Sequence, residues 1–122
     1  ISPVVLLAHS CGAHMAMLWM EQHADSGIDA FVGIGMGATD YKQPMRHPFP
    51  FASVKVPVLD LYGEEDYPAV HRMAPERLDL INQGGNALSR LIVSPGADHY
   101  FTDNSDQLIE EVSTWLDSLG WD

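Results

Sequence analysis

Short apolar runs alternate with helix-like segments along the whole chain, and this alternation is the feature that most limits the fold. Four runs predict strands, at residues 4–8, 30–34, 56–62 and 90–93. Helical patterns lie between and after these strands. The order β-α-β-loop-β-α-β-α predicts an α/β fold, a mainly parallel sheet of about four strands with right-handed crossovers and helices on both faces.

The patterns also predict how each element is packed. The first run is continuous rather than alternating, which favours burial on both faces of the sheet. Residues 12–23 are apolar almost all round, which favours a deeply packed helix. Pro75 is expected in the first turn of a helix that ends before Gly84-Gly85. The last helix carries one apolar stripe after the capping residues Asp103 to Asp106, formed by Leu108, Ile109, Val112, Trp115, Leu116 and Leu119.

Composition excludes several classes of function. Seventeen acidic residues against six Lys and Arg give a net charge of −11, which disfavours nucleic acid and anionic membranes as partners. No apolar run approaches the about 20 residues of a membrane span, and the start does not have the pattern of a signal peptide. One cysteine excludes an internal disulfide, and we expect no metal and no other cofactor. These features indicate a soluble protein of the cytoplasm or the periplasm.

A serine follows the first predicted strand in a pattern with a chemical use. The pentapeptide Ala8-His9-Ser10-Cys11-Gly12 leads directly into a helix. A sharp strand-to-helix turn strains the serine backbone and requires small residues two positions before and after it. The turn would present the Ser10 hydroxyl at the sheet edge and the Cys11 N–H where an oxyanion forms. A tight turn around a buried serine would give the same pattern.

Two later strands end in residues that could complete a catalytic triad. Gly63-Glu64-Glu65-Asp66 follows the third strand, and Gly96-Ala97-Asp98-His99 follows the fourth. Taken alone, an exposed acidic turn and a loop histidine are the simpler interpretations. The carboxyl ends of parallel strands meet at one edge, however, so serine, acid and histidine would meet there. Glu65 is a rival for the acid, and Asp98 is a weaker one.

These motifs, in this order, resemble the α/β-hydrolase superfamily, whose triad runs serine, acid, histidine along the chain. The Tyr62-Gly63 strand end, the sequence from Gly96 to His99 and the Trp115-Leu116 helix are similar to a bacterial α/β-hydrolase family of unknown function, the DUF3530-like group. The resemblance implies a serine hydrolase acting on a small-molecule ester or related acyl substrate. It assigns Ser10 as nucleophile, His99 as base, Asp66 as the acid and Cys11 to the oxyanion hole, with His9 and Tyr100 as substrate contacts.

The resemblance runs from Val4 to Leu119 and covers only the carboxyl-terminal half of that fold. We therefore expect residues 1–122 to form one partial α/β-hydrolase-like domain, with the earlier strands and the second oxyanion-hole donor upstream of Ile1. The alternative is a weakly active or inactive fragment. Its first strand would be an exposed edge that pairs in a homodimer or with a partner.

The segment from Gly35 to Ser53 is rich in glycine and proline, which predicts a loop that acts as a lid or rim. The large apolar side chains of this segment could line an acyl pocket or pack as a rim. They are Tyr41, Met45, Phe49 and Phe51. Gly33 lies just before this segment, and Gly35 and Gly37 lie at its start. We interpret them as close backbone packing at a strand end rather than as a dinucleotide loop.

Overall fold

Residues 3–37 and 49–121 are described by a computed structural model. Four strands form one sheet in the order β1-β2-β3-β4, with bounds Val5–His9, Ala30–Ile34, Val58–Gly63 and Arg90–Ser94. Three α-helices, α1 to α3, span Cys11–Gln22, Pro68–Gly84 and Ser105–Ser118, and a 3-10 turn spans Phe51–Ser53. All three strand pairs are parallel. The predicted fold class is therefore confirmed.

The register of the sheet brings the carboxyl ends of the strands to one edge. His9 at the end of β1 pairs with Ile34, which pairs in turn with Leu61 in β3. Gly63 at the end of β3 pairs with Ser94 at the end of β4. Turns that follow β1, β3 and β4 therefore start from the same side of the sheet.

Two apolar layers cover the sheet, as the α/β pattern predicts. On one face, Phe31 and Val58 pack with Met17 of α1 and Ile81 of α2. On the other face, strand residues pack against Trp115 and Leu119 at the α3 side. Full burial of each large side chain contributes about 1.5–3 kcal/mol, so both layers stabilise the sheet.

β1 lies at an edge of the sheet and pairs only with β2 among the described residues. Leu7 is 52% exposed, so the expectation that this strand is buried on both faces is wrong. The prediction that α1 is deeply packed is also wrong, because Met15 is 59% exposed and Trp19 is exposed as well. These side chains have no covering layer among the described residues.

α2 begins earlier than the sequence predicts. Pro68, not Pro75, occupies the first turn, and Pro75 lies inside the helix. A proline there lacks the N–H that would bond four residues back, a cost that the packing of the buried helix face offsets. The predicted end is confirmed, because Gly85 caps the helix with a left-handed φ of 73°.

α3 differs from its prediction in two details. Its N-cap, Asn104, makes no side-chain capping hydrogen bond, although Asp106 places a negative charge in the first turn. Ile109 is 62% exposed and does not belong to the buried stripe, whereas Trp115 and Leu119 are buried. The stripe is therefore narrower than the sequence pattern indicates.

Part of the predicted lid or rim, including Tyr41 and Met45, lies outside the described residues. Phe49 and Phe51 are buried in the core layer of α1 and α2. Within the described ranges, no helix combines the length and the apolar character needed to cross a bilayer.

Candidate active site

Ser10 occupies a strained turn between β1 and α1. Its backbone angles are φ 58° and ψ −128°, a conformation that costs an L-residue about 1–3 kcal/mol. The turn is held by the Ser10 N–H, which donates to the carbonyl of Ile34 at 2.7 Å. A Cβ on Gly12 would meet no described atom within 4 Å beyond its chain neighbours and its own helix backbone, so the expected crowding at that position is not observed.

The structure brings Ser10, Asp66 and His99 together. His99 Nδ1 lies 2.7 Å from Asp66 Oδ1, and His99 Nε2 lies 3.0 Å from Ser10 Oγ. With the proton on Nδ1, the imidazole donates to the carboxylate and accepts from the serine hydroxyl. Asp66 is 6% exposed and His99 is 3% exposed. Both groups are therefore shielded from water, which strengthens their interaction.

Asp66, and not its rival Glu65, contacts the imidazole. The Glu65 side chain is exposed, while its N–H donates to the carbonyl of Ala97 at 2.8 Å. The Asp66 N–H donates to the carbonyl of Gly63, and Asp66 Oδ1 also accepts from the Tyr67 N–H at 2.6 Å. These bonds fix which carboxylate of the acidic turn faces His99.

Asp98 is turned into its own loop. Its Oδ1 accepts from the N–H groups of Tyr100 and Thr102 at 3.0 and 2.9 Å. These hydrogen bonds, that of the Thr102 N–H above all, lower the pKa of Asp98. The carboxylate shapes the histidine loop and is not the partner of the His99 ring.

Two glycines permit the close approach of the loops. A Cβ on Gly63 would lie 2.0 Å from the carbonyl oxygen of Ala97, so only glycine lets the histidine loop pack on β3. A Cβ on Gly35 would lie 2.8 Å from ring atoms of His99 and 3.2 Å from Asp66 Oδ2. Gly35 thus forms the wall behind the Asp66–His99 pair. The predicted close packing at this strand end is present, but its link to the site was not foreseen.

Aromatic rings surround the imidazole. The rings of Tyr67 and His9 each lie 4.6 Å from the His99 ring, and that of Tyr100 lies at 4.9 Å. Tyr67 was not predicted, although it directly follows Asp66 in the sequence. A cavity of about 300 Å³ adjoins His9, His99 and Tyr100, with Leu7 among its apolar lining residues. The role of His9 and Tyr100 as substrate contacts stays a prediction.

Cys11 is the first residue of α1, and its side chain is exposed. The first N–H groups of a helix have no partner within the helix, so the Cys11 N–H belongs to a set suited to bind an anion. Its assignment to an oxyanion hole stays a prediction. In the described part of the chain, no cluster of His, Cys, Asp and Glu is suited to hold a metal ion.

A buried ion pair lies beneath this edge of the sheet and was not predicted. Arg77 Nε donates to Asp60 Oδ2 at 2.6 Å, and both side chains are fully buried. Arg77 Nη1 also donates to the carbonyl of Val70 at 3.1 Å. A Cβ added to Gly37 would lie 2.6 Å from the same atom, so the turn after β2 packs closely on the guanidinium. Burial raises the pKa of Asp60, and the guanidinium opposes this shift. The pair links β3, α2 and the turn after β2.

A larger groove, of about 560 Å³, lies between β4 and α3. Arg90, Glu110 and Trp115 are among its lining residues, and none of Ser10, Asp66 and His99 touches it. The cavity beside His99, by contrast, is lined by one of the three residues, His99.

The fold and this arrangement together define part of an α/β-hydrolase fold. No family model matches the sequence, and no curated protein matches it. Solved structures do. A protein of unknown function from Agrobacterium tumefaciens, described as a candidate α/β hydrolase, is 21% identical with a TM-score of 0.68 over 94% of this chain and 50% of its own.

Two further solved structures share the fold, and one of them is named an esterase. Est1E from Butyrivibrio proteoclasticus is 14% identical, with a TM-score of 0.73 over 99% of this chain and 63% of its own. Esterase PE8 is 20% identical, with a TM-score of 0.59 over 93% of this chain and 52% of its own. The chain thus spans between half and 63% of these proteins. At these identities the likeness establishes the shared fold.

Proposed function

We propose that this chain carries the catalytic triad of a serine hydrolase that acts on an ester or related acyl substrate. The observation that carries the proposal is the hydrogen-bonded series Ser10 Oγ, His99 Nε2, His99 Nδ1 and Asp66 Oδ1, with separations of 3.0 and 2.7 Å. The name of esterase PE8, a structure of similar fold, supports the same substrate class.

Each residue has a role set by its position. Ser10 Oγ attacks the acyl carbonyl while His99 Nε2 takes the hydroxyl proton and then gives it to the leaving group. Asp66 holds the tautomer with the proton on Nδ1 and stabilises the imidazolium. The Cys11 N–H donates to the oxyanion. Water, deprotonated by His99, then releases the acyl group from Ser10.

The cavity beside His99 supports a small acyl substrate. Its apolar walls include Leu7, Ile34 and Leu108, and it is also lined by His9, His99 and Tyr100. An acyl chain in this cavity would leave water and lie beside His99, whose Nε2 is 3.0 Å from Ser10 Oγ. The narrower similarity to the bacterial family of unknown function stays a hypothesis beside this proposal.

Labelling with a fluorophosphonate and hydrolysis of p-nitrophenyl butyrate test the proposal. Ser10→Ala should remove labelling and lower hydrolysis by at least about 10³-fold, since the nucleophile is lost. Ser10→Gly, which relieves the positive φ, should show the same loss with an intact fold. Ser113→Ala, at an exposed position of α3, is the matched control and should leave both signals unchanged. Labelling that survives in Ser10→Ala would contradict the proposal.

A second candidate function is assembly by a catalytically weak or inactive fragment. The exposed edge of β1, with Leu7, and the exposed Met15 and Trp19 of α1 favour it. An unpaired apolar edge strand associates readily, and a twofold axis would pair it with β1 of a second copy. A partner that supplies further strands would cover the same edge.

Sedimentation at micromolar concentration tests assembly. The chain should sediment as a dimer, and Leu7→Lys should give a monomer, since a charge on an edge strand blocks pairing. Ile109→Lys, at an exposed apolar position of α3, should leave the dimer intact. A monomeric wild-type chain would refute homodimer assembly, whatever its activity with aryl esters.

A further inference from the structure

We infer that His9 is a positioning residue, which holds His99 against Ser10 through the main chain of the histidine loop. His9 Nε2 donates to the carbonyl oxygen of His99 at 2.8 Å. The two residues are 90 positions apart, so the bond joins the end of β1 to the loop after β4. This inference rests on the proposed function, because it assigns His99 the catalytic base.

The first half of the histidine loop is fixed from the β3 side. The Glu64 N–H donates to the carbonyl of Ser94 at 2.9 Å, and the Gly96 N–H donates to Glu64 Oε1 at 3.1 Å. The Glu65 N–H adds the bond to Ala97 already described. These contacts end at Ala97, two residues before the imidazole.

The second half of the loop is strained, and it is held by bonds within itself and by the Phe101 side chain, which is buried in the apolar layer at the α3 side. Phe101 and Asp103 have φ values of 53° and 59°, which L-residues rarely adopt. The Phe101 N–H donates to the carbonyl of Asp98 at 3.2 Å, and the Asn104 N–H donates to that of Phe101 at 2.9 Å. An anchor at the His99 carbonyl would fix the main chain between Ala97 and Phe101, two residues to either side of it.

His9 supplies that anchor from the strand that also carries the nucleophile. It is the last residue of β1, directly before Ser10, and pairs in the sheet with Ile34. Its ring also contacts the His99 ring at 4.6 Å between centroids. One strand end therefore sets the position of both the serine and the residue that must accept its proton. This use of Nε2 differs from the substrate contact predicted from the sequence.

Two variants of His9 separate the hydrogen bond from the ring. His9→Gln keeps a side-chain N–H donor of similar reach, whereas His9→Phe keeps a ring and removes the donor. We expect His9→Phe to lower kcat for p-nitrophenyl butyrate about 10- to 100-fold with KM nearly unchanged, because small misplacements of catalytic groups cost about this much. His9→Gln should restore kcat to within about threefold of the wild type. Thermal unfolding shows whether each variant is folded.

Other outcomes overturn the inference. A rise in KM with unchanged kcat in His9→Phe would make His9 a substrate contact. An equal loss of kcat in His9→Gln and His9→Phe would show that the donor is not what matters.

A spectroscopic measurement keeps the inference separate from the proposed function. The proton between His99 Nδ1 and Asp66 gives a downfield resonance in the NMR spectrum that requires no turnover. Exchange broadening of this signal in His9→Phe, but not in His9→Gln, is expected, and an unchanged signal in His9→Phe refutes positioning by His9. If the wild-type chain neither hydrolyses esters nor labels at Ser10, the proposed function fails while this test of His9 still stands.

Discussion

Replacing Arg77 by methionine should strongly destabilise the protein. Arg77 and Asp60 are both fully buried and joined at 2.6 Å, so Arg77→Met leaves a carboxylate without its partner inside the core. Removal of one partner of a buried ion pair costs about 3–5 kcal/mol, a large part of the about 5–15 kcal/mol that holds a domain folded. Methionine fills much of the same volume, so the charge rather than a cavity causes the loss.

The expected change in melting temperature follows from the length of the chain. For 122 residues, the entropy of unfolding is about 0.26 kcal/mol/K, so Tm should fall by about 12–20 °C. Burial already raises the pKa of Asp60, and loss of the guanidinium raises it further. The pKa of an aspartate in the unfolded chain is about 3.9. If the pKa in the folded state is higher, the folded state loses stability as the pH rises above this unfolded value, because only the unfolded chain readily gives up the proton. The deficit of Arg77→Met relative to the wild type should therefore grow once the pH rises above the folded-state pKa of Asp60 in the wild type, which itself lies above the unfolded value.

Urea unfolding followed by tryptophan fluorescence measures this deficit. The double variant Asp60→Leu/Arg77→Met replaces both charges with apolar groups and should recover most of the lost stability. Arg72→Met, at an exposed position of the same helix, should change the free energy of unfolding by less than about 1 kcal/mol. A loss below about 1 kcal/mol in Arg77→Met, or additive losses in the double variant, would refute the reasoning.

Two further predictions concern the loops around the imidazole. Gly35→Ala and Gly85→Ala both force an L-residue into a positive φ, of 64° and 73°, but only the Cβ at position 35 would meet the His99 ring. Ester hydrolysis should therefore fall at least about 10-fold in Gly35→Ala and stay unchanged in Gly85→Ala, and equal losses would contradict the wall assigned to Gly35. Asp98→Ala should destabilise the protein at neutral pH, and because the pKa of Asp98 is lowered, the difference from the wild type should shrink as the pH falls below about 4. Chemical unfolding at a series of pH values checks this, and a difference that does not depend on pH would count against the role of the charge.

Elements with a strong local signal could be predicted from the sequence. The apolar runs and the residues that follow them predicted four parallel strands and three turns at one sheet edge. The end of α2 at Gly85 was predictable because glycine adopts the left-handed cap cheaply. Its start was not, because Pro68 and Pro75 both suit a first turn, and only packing of the buried face selects the longer helix.

The sequence could not show which of two neighbouring residues of similar chemistry takes a given place in the structure. Glu65 and Asp66 carry the same chemistry, and the main-chain bonds of the turn to Gly63 and Ala97 decide which of them faces His99. Exposure of Leu7 and Met15 likewise depends on what covers β1 and α1, which hydrophobic periodicity does not encode.

The sequence alone determined the α/β class and the placing of a serine, an acidic turn and a histidine at the strand ends, because strand ends, small turn residues and their order are local properties of the chain. Only the tertiary structure decided how His9 reaches the carbonyl of His99, how Gly35 backs the imidazole and how Asp60 meets Arg77. These contacts join segments far apart in the sequence, and the free energy that selects them exists only once the sheet, helices and loops have packed together.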